Sequence, residues 1–143
     1  TLVIIGFLKG FFFIPLILII LIFSILAFYQ FNKYPAKIIM GDGGSYFLGF
    51  ILSTFSILIS SYEGKSFSLL IPILILSIPI LDMIYVLFIR LVNSRSIFLP
   101  DRGHIHHRLI DKGYSYQNTI HIISLLVFSS SIITLIINQL IYY

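Results

Sequence analysis

The sequence predicts an all-α protein, a polytopic transmembrane helical bundle, on three observations. Apolar residues fill 59% of its 143 positions, charged residues only 10%, and the mean hydropathy is +1.09. A soluble domain carries about 25% charged residues, and so few could not build a water-facing surface. Four stretches are apolar over the ~20 residues a helix needs to cross ~30 Å of hydrocarbon. The first of them is apolar on every face, as in Phe11-Phe12-Phe13-Ile14 and Leu16 through Phe23, and the third contains one charge, Asp82. Barrel strands instead alternate apolar and polar residues over ~10 positions. In lipid, an all-apolar segment satisfies its own backbone only as a helix.

The elements follow in order. The chain opens at Thr1 inside an apolar run, with neither a charged leader nor a small-residue cleavage site. Leu2 to Leu8 read as the tail of an earlier span, with Lys9-Gly10 as the turn out of it. Complete spans are expected from about Phe11 to Phe31, Ser45 to Tyr62, Phe67 to Arg90 and Asn118 to Ile141. Pro79 is expected to kink the third. Residues 1–143 thus form a single membrane domain, read as the C-terminal fragment of a larger polytopic enzyme. Tyr29, Tyr46, Tyr62, Tyr142 and Tyr143 lie at span ends as interface anchors.

Charge sets the topology. The first and third loops lie on one side with Lys33, Lys37, Arg90, Arg95, Arg102, Arg108 and Lys112; the other side has only Lys9 and Lys65. The positive-inside rule makes the seven-cation side cytoplasmic. The net charge of +4 therefore marks topology and anionic ligands, and nucleic acid is not an expected partner. With no cysteine, disulfides, thiolate metal sites and thiol nucleophiles are excluded.

Both cytoplasmic loops hold polar groups suited to phosphate chemistry. In Met40-Gly41-Asp42-Gly43-Gly44-Ser45 three glycines surround one carboxylate. Glycine permits tight turns and close approach of N–H groups, and a helix start favours phosphate. Asp42 beside phosphates is a natural Mg²⁺ ligand. The rival reading is an ordinary loop in which Asp42 or Ser45 caps the next helix.

The later loop places His104, His106 and His107 with Arg102 and Arg108 within seven positions. A helix from Arg102, capped by Asp101, would put His104, His107, Arg108 and Asp111 on one face and His106 elsewhere. Such a face suits a diphosphate. A zinc site ranks lower because the ligand set is incomplete. A basic patch for lipid headgroups is the plain alternative, but neutral imidazoles add little to headgroup attraction. Asp82 lies roughly 12 Å inside the third span. It is read either as a structural interhelical hydrogen bond or as a wall of the cleft and partner for a basic group. His121 is read as structural.

These residues resemble the polyprenyl-phosphate N-acetylhexosamine-1-phosphate transferases. The likeness rests on three motifs in register: Pro35-Ala36-Lys37 running into Met40 to Ser45 and Phe47-Leu48-Gly49; Pro79-Ile80-Leu81-Asp82; and Pro100-Asp101-Arg102-Gly103-His104-Ile105-His106-His107-Arg108-Leu109. The family moves a sugar 1-phosphate from a UDP-sugar to a polyprenyl phosphate, releasing UMP and using Mg²⁺, with Mn²⁺ as the alternative ion.

The resemblance implies Asp42 as the metal ligand and as a catalytic residue with His104, His106 and His107. It also implies Gly41, Gly43, Gly44, Ser45, Lys37, Arg102 and Arg108 as substrate-binding residues. The histidine motif followed by Arg108-Leu109 resembles the UDP-N-acetylglucosamine branch. The implied setting is a bacterial cytoplasmic (inner) membrane, with lipid bilayer, UDP-sugar and polyprenyl phosphate as partners, cell-wall biogenesis as the process and a homodimer as a candidate assembly. The family's acidic pair and its Asn- and Asp-containing loop are absent from these residues, so the isolated chain is expected to be inactive. The rival readings are a non-catalytic membrane subunit and a transporter fragment.

Overall fold

The computed structural model describes residues 1–61, 70–94, 96 and 103–142. The described residues form seven helices and no strand: α1 Leu2–Leu8, α2 Phe13–Asn32, α3 Gly41–Ser61, α4 Leu70–Ile75, α5 Ser77–Val92, α6 Ile105–Asp111 and α7 Tyr116–Tyr142. The all-α membrane architecture expected from composition is therefore present. Among the described residues, three helices are long and apolar enough to cross a bilayer, namely α2, α3 and residues Tyr116–Leu140 of α7. Tyr62, Glu63, Lys65, Arg95, Pro100, Asp101, Arg102 and Tyr143 lie outside the described residues.

The chain divides into two compact units, Thr1–Pro72 and Ile73–Ile141. In the first, α1 packs against α2 and α3. Its turn forms at Lys9-Gly10 as expected. The Phe11 N–H reaches back to the Gly6 carbonyl (2.9 Å) and the Gly10 N–H to that of Phe7 (3.0 Å). Gly10 has φ +79°, the left-handed conformation that this helix stop requires. A Cβ on Gly6 would lie 2.7 Å from Pro15 Cγ and 3.5 Å from Ile59 Cδ1, so glycine permits this close approach. Ile5 and Ile59 are fully buried, with Ser56 and Ser60 beside Ile59 on the buried side of α3.

The third expected span is not one helix. α4 and α5 are separated at Leu76, and they hold 6 and 16 residues. Pro79 has no N–H for the Ile75 carbonyl, and its ring crowds the preceding turn, so the helix breaks one turn before it. A neighbouring span covers the break. The Ser130 hydroxyl of α7 donates to the Leu74 carbonyl at 2.6 Å. The Ser77 hydroxyl, 2.8 Å away, then donates to Ser130 Oγ.

Thr134 and Asn138 continue this side of α7 at four-residue spacing, and both are fully buried. Large apolar side chains such as Phe23, Phe128 and Ile133 are exposed. On α7, large apolar side chains thus point outward while small and polar ones are buried, as expected where lipid tails compete for apolar contact.

Candidate active site

The Asp42 turn is built at the end of α2. The Lys37 N–H donates to the Phe31 carbonyl (2.8 Å), and Asn32 Nδ2 donates to the Ile38 carbonyl (2.9 Å). These bonds fold residues 33–40 back on α2. Gly41 then takes φ +65° and α3 begins there. The expected start at Ser45 is therefore corrected by one turn. Asp42, Gly43, Gly44 and Ser45 are helical, and the hydrophobic run alone could not show it.

The capping alternative is corrected as well. Ser45 Oγ donates back to the Gly41 carbonyl (2.9 Å) and the Asp42 carbonyl (3.1 Å), so it does not cap the helix. Asp42 sits in the first turn, where its charge favours the helix dipole. Its carboxylate is exposed and has no hydrogen-bond partner among the described residues. A Cβ on Gly44 would strike the Met40 side chain, whereas the space beside Gly43 is open. Lys37 is exposed.

In the second unit, the histidines are organised around Asp82. Asp82 Oδ1 accepts the Ile105 N–H at 2.8 Å, and Oδ2 lies 3.0 Å from His104 Nδ1. The Asp82 side chain is 15% exposed, against 45% for His104. One carboxylate therefore serves both the first N–H of α6 and the imidazole before it. This corrects the expected helix start. α6 begins at Ile105, His104 is the extended residue at its N-terminus, and the cap comes from α5. Of the two readings of Asp82, it is both an interhelical hydrogen bond and the partner of a basic group.

The expected orientation of His106 is also corrected. Its ring lies parallel to that of His104 (9° between planes, 6.0 Å between centroids) and 4.1 Å from that of His107. The three imidazoles form a row with His106 in the middle. Lost hydration is the largest effect on His106, followed by repulsion from His107 and then His104. Together they hold its pKa below the ordinary histidine value against the opposing pull of Asp82. His107 Nδ1 is buried without a partner among the described residues.

Arg108 stacks its guanidinium 3.8 Å over the Tyr85 ring. Tyr85 escaped the sequence reading, although it follows Asp82 by three residues and so shares its helix face. The C-terminal end of α6 is fixed by a glycine stop. The Gly113 N–H bonds the Ile110 carbonyl (2.9 Å) and the Tyr114 N–H that of Leu109 (3.2 Å). Ser115 Oγ then accepts the Asn118 N–H (3.2 Å) and caps α7. Asp111 and Lys112 are exposed.

His104, His106, His107 and Arg108 are thus brought together on α6 and the residue before it, held by Asp82 and Tyr85 of α5. Gly41, Asp42, Gly43, Gly44, Ser45 and Lys37 belong to the first unit. Among the described residues, no three His, Asp or Glu side chains converge as metal ligands.

Residues 1–60 match the family model described as Glycosyl transferase family 4. The chain is 40% identical over 121 residues to a probable undecaprenyl-phosphate N-acetylglucosaminyl 1-phosphate transferase of Bacillus subtilis, covering 85% of this chain and 34% of that protein. It is 35% identical over 120 residues to a decaprenyl-phosphate N-acetylglucosaminephosphotransferase of Mycobacterium tuberculosis, covering 76% of this chain and 30% of that one. Against the undecaprenyl-phosphate alpha-N-acetylglucosaminyl 1-phosphate transferase of Escherichia coli K12 it is 35% identical over 91 residues, covering 62% and 24%. The chain therefore spans about a third or less of the length of these curated relatives. No solved structure matches. The family match over residues 1–60 and these relatives thus agree in what the chain is similar to: glycosyl transferase family 4 and its polyprenyl-phosphate N-acetylglucosaminyl 1-phosphate transferases.

Proposed function

We propose that this chain forms part of an enzyme that transfers N-acetylhexosamine 1-phosphate from a UDP-sugar to a polyprenyl phosphate, releasing UMP, in bacterial cell-envelope glycan synthesis. The observation that carries this reading is the row of three imidazoles beside Arg108, held by Asp82 and Tyr85 of a neighbouring helix. Such a row offers adjacent donors and acceptors, and Arg108 adds fixed charge for phosphate oxygens. The relatives' names supply the substrate class. Seven loop cations against two support a cytoplasmic-membrane setting with both polar loops inside.

In the reaction, an oxygen of the lipid phosphate attacks the β-phosphorus, which carries the sugar. A new P–O bond forms. The bond from that phosphorus to the bridging oxygen breaks, and UMP leaves with the oxygen. Attacker and target are both anionic, so the barrier falls only if their charge is offset. Arg108 and Arg102 are the fixed cations proposed for this, with Lys37 at the first loop. The histidines orient and hydrogen-bond the diphosphate.

One exposed carboxylate suits Mg²⁺, which takes one or two carboxylates beside phosphate oxygens and water; Mn²⁺ is the alternative. Asp42, with open space beside Gly43, would hold it, and the bound ion would neutralise phosphate charge. The first turn of α3, with Gly41, Gly44 and Ser45, has free N–H groups of the kind that favour a phosphate, and is proposed as substrate-binding.

The test is Asp42→Asn in the full-length enzyme, assayed for radiolabelled sugar phosphate in the lipid fraction and for released UMP. Turnover should fall by about 100-fold or more. Near-normal turnover would reject Asp42. Solute uptake without UMP release would favour a transporter instead.

A further inference from the structure

We propose that Asp82 is a positioning residue that fixes His104 as the Nδ1–H tautomer and sets the register of the histidine row. The proposal rests on the transferase reading for its consequence but not for its geometry. A carboxylate only accepts hydrogen bonds. Oδ1 already accepts the Ile105 N–H at 2.8 Å. At 3.0 Å from Oδ2, His104 Nδ1 must therefore carry the hydrogen. Nε2 is then the one ring nitrogen left for substrate. It accepts when the ring is neutral and donates when the ring is protonated.

A second contact makes the alignment two-point. Tyr85, on the same face of α5, holds Arg108 at 3.8 Å. α6 is thus held at its first N–H and again at Arg108. His106 lies parallel to His104, so the ring fixed by Asp82 also sets the plane of its neighbour. His104 has no cap of its own at this helix start, so α6 depends on Asp82 for it.

The discriminating variant is Asp82→Asn. Its amide oxygen can still accept the Ile105 N–H, which preserves the cap. Its NH₂ group would then face His104 Nδ1 and require that nitrogen to accept, moving the hydrogen to Nε2. A role limited to holding the helix would leave the tautomer and the turnover unchanged.

The measurement uses the full-length protein in nanodiscs, ¹⁵N-labelled at histidine, with the His104 signal assigned by its loss in His104→Gln. Wild type should show a protonated Nδ1, and Asp82→Asn a protonated Nε2. In the transferase assay kcat should drop by about 10- to 100-fold with KM little changed. Asp82→Glu should keep the wild-type tautomer. A protonated Nε2 in wild type would overturn the proposal even if the Asn variant fails to fold. Normal turnover in the folded Asn variant of an active enzyme would also overturn it. If wild type transfers no sugar phosphate but the tautomer switches as described, positioning stands and the transferase reading falls.

Discussion

Replacing Ser130 by Ala tests how the break between α4 and α5 is stabilised. The hydroxyl gives 2.6 Å and 2.8 Å contacts to the Leu74 carbonyl and the Ser77 hydroxyl. Interhelical hydrogen bonds in bilayers average about 0.6 kcal/mol and reach about 1.7. A buried acceptor left without a donor costs about 1–3 kcal/mol. Alanine removes both contacts and strips the Leu74 carbonyl of the donor supplied by α7. The expected loss is therefore about 1–3 kcal/mol. Ser129→Ala is the matched control. That hydroxyl is exposed and bonds only the Leu126 carbonyl of its own helix (2.8 Å), so its loss should stay within about 0.5 kcal/mol. Reversible unfolding in bicelles, by steric trapping or SDS titration, reads both variants against wild type. Equal stabilities for the two serine variants would refute the idea that Ser130 secures the break.

Further outcomes follow from the packing and the charges. Gly6→Ala should destabilise α1 against α2 by about 1–3 kcal/mol, because the new methyl meets the rigid Pro15 ring at 2.7 Å. Gly49→Ala has nothing within 4 Å and should be neutral or slightly stabilising by the same unfolding assay. His106 should titrate by NMR below the ordinary histidine value of 6.5. Between that lowered midpoint and 6.5 the unfolded chain binds more protons, so stability should rise with pH across the window. His107→Gln should move the midpoint upward, since it removes a repelling neighbour.

Much of the fold was legible from hydropathy because bilayer thickness fixes how long an apolar run must be. α2 and α7 begin within two residues of their expected starts, at Phe13 and Tyr116. Where hydropathy fell silent, boundaries moved. Asp42-Gly43-Gly44 reads as loop by residue type, yet the backbone is already helical there. At α6 the sequence neighbours point to Asp101 as the cap. The cap is Asp82, 23 residues before Ile105 and on another helix. A local rule cannot find a partner that only tertiary packing supplies. Tyr85 was missed for the same reason, since its role exists only once Arg108 lies above it. The candidate residues were visible as chemistry-bearing types; their arrangement into a row was not.

The short link from α6 to α7 carries a mechanical consequence. Only Lys112, Gly113, Tyr114 and Ser115 separate the two helices, and the N–H groups of Lys112, Gly113 and Tyr114 are committed to carbonyls of α6. A tether this tight has no slack to absorb movement. Tilting α7 to match a thinner or thicker bilayer would pull on α6, while the grip of Asp82 and Tyr85 of α5 on α6 resists. Lipid thickness would then reach the imidazoles as tension along the chain, without any ligand crossing the distance.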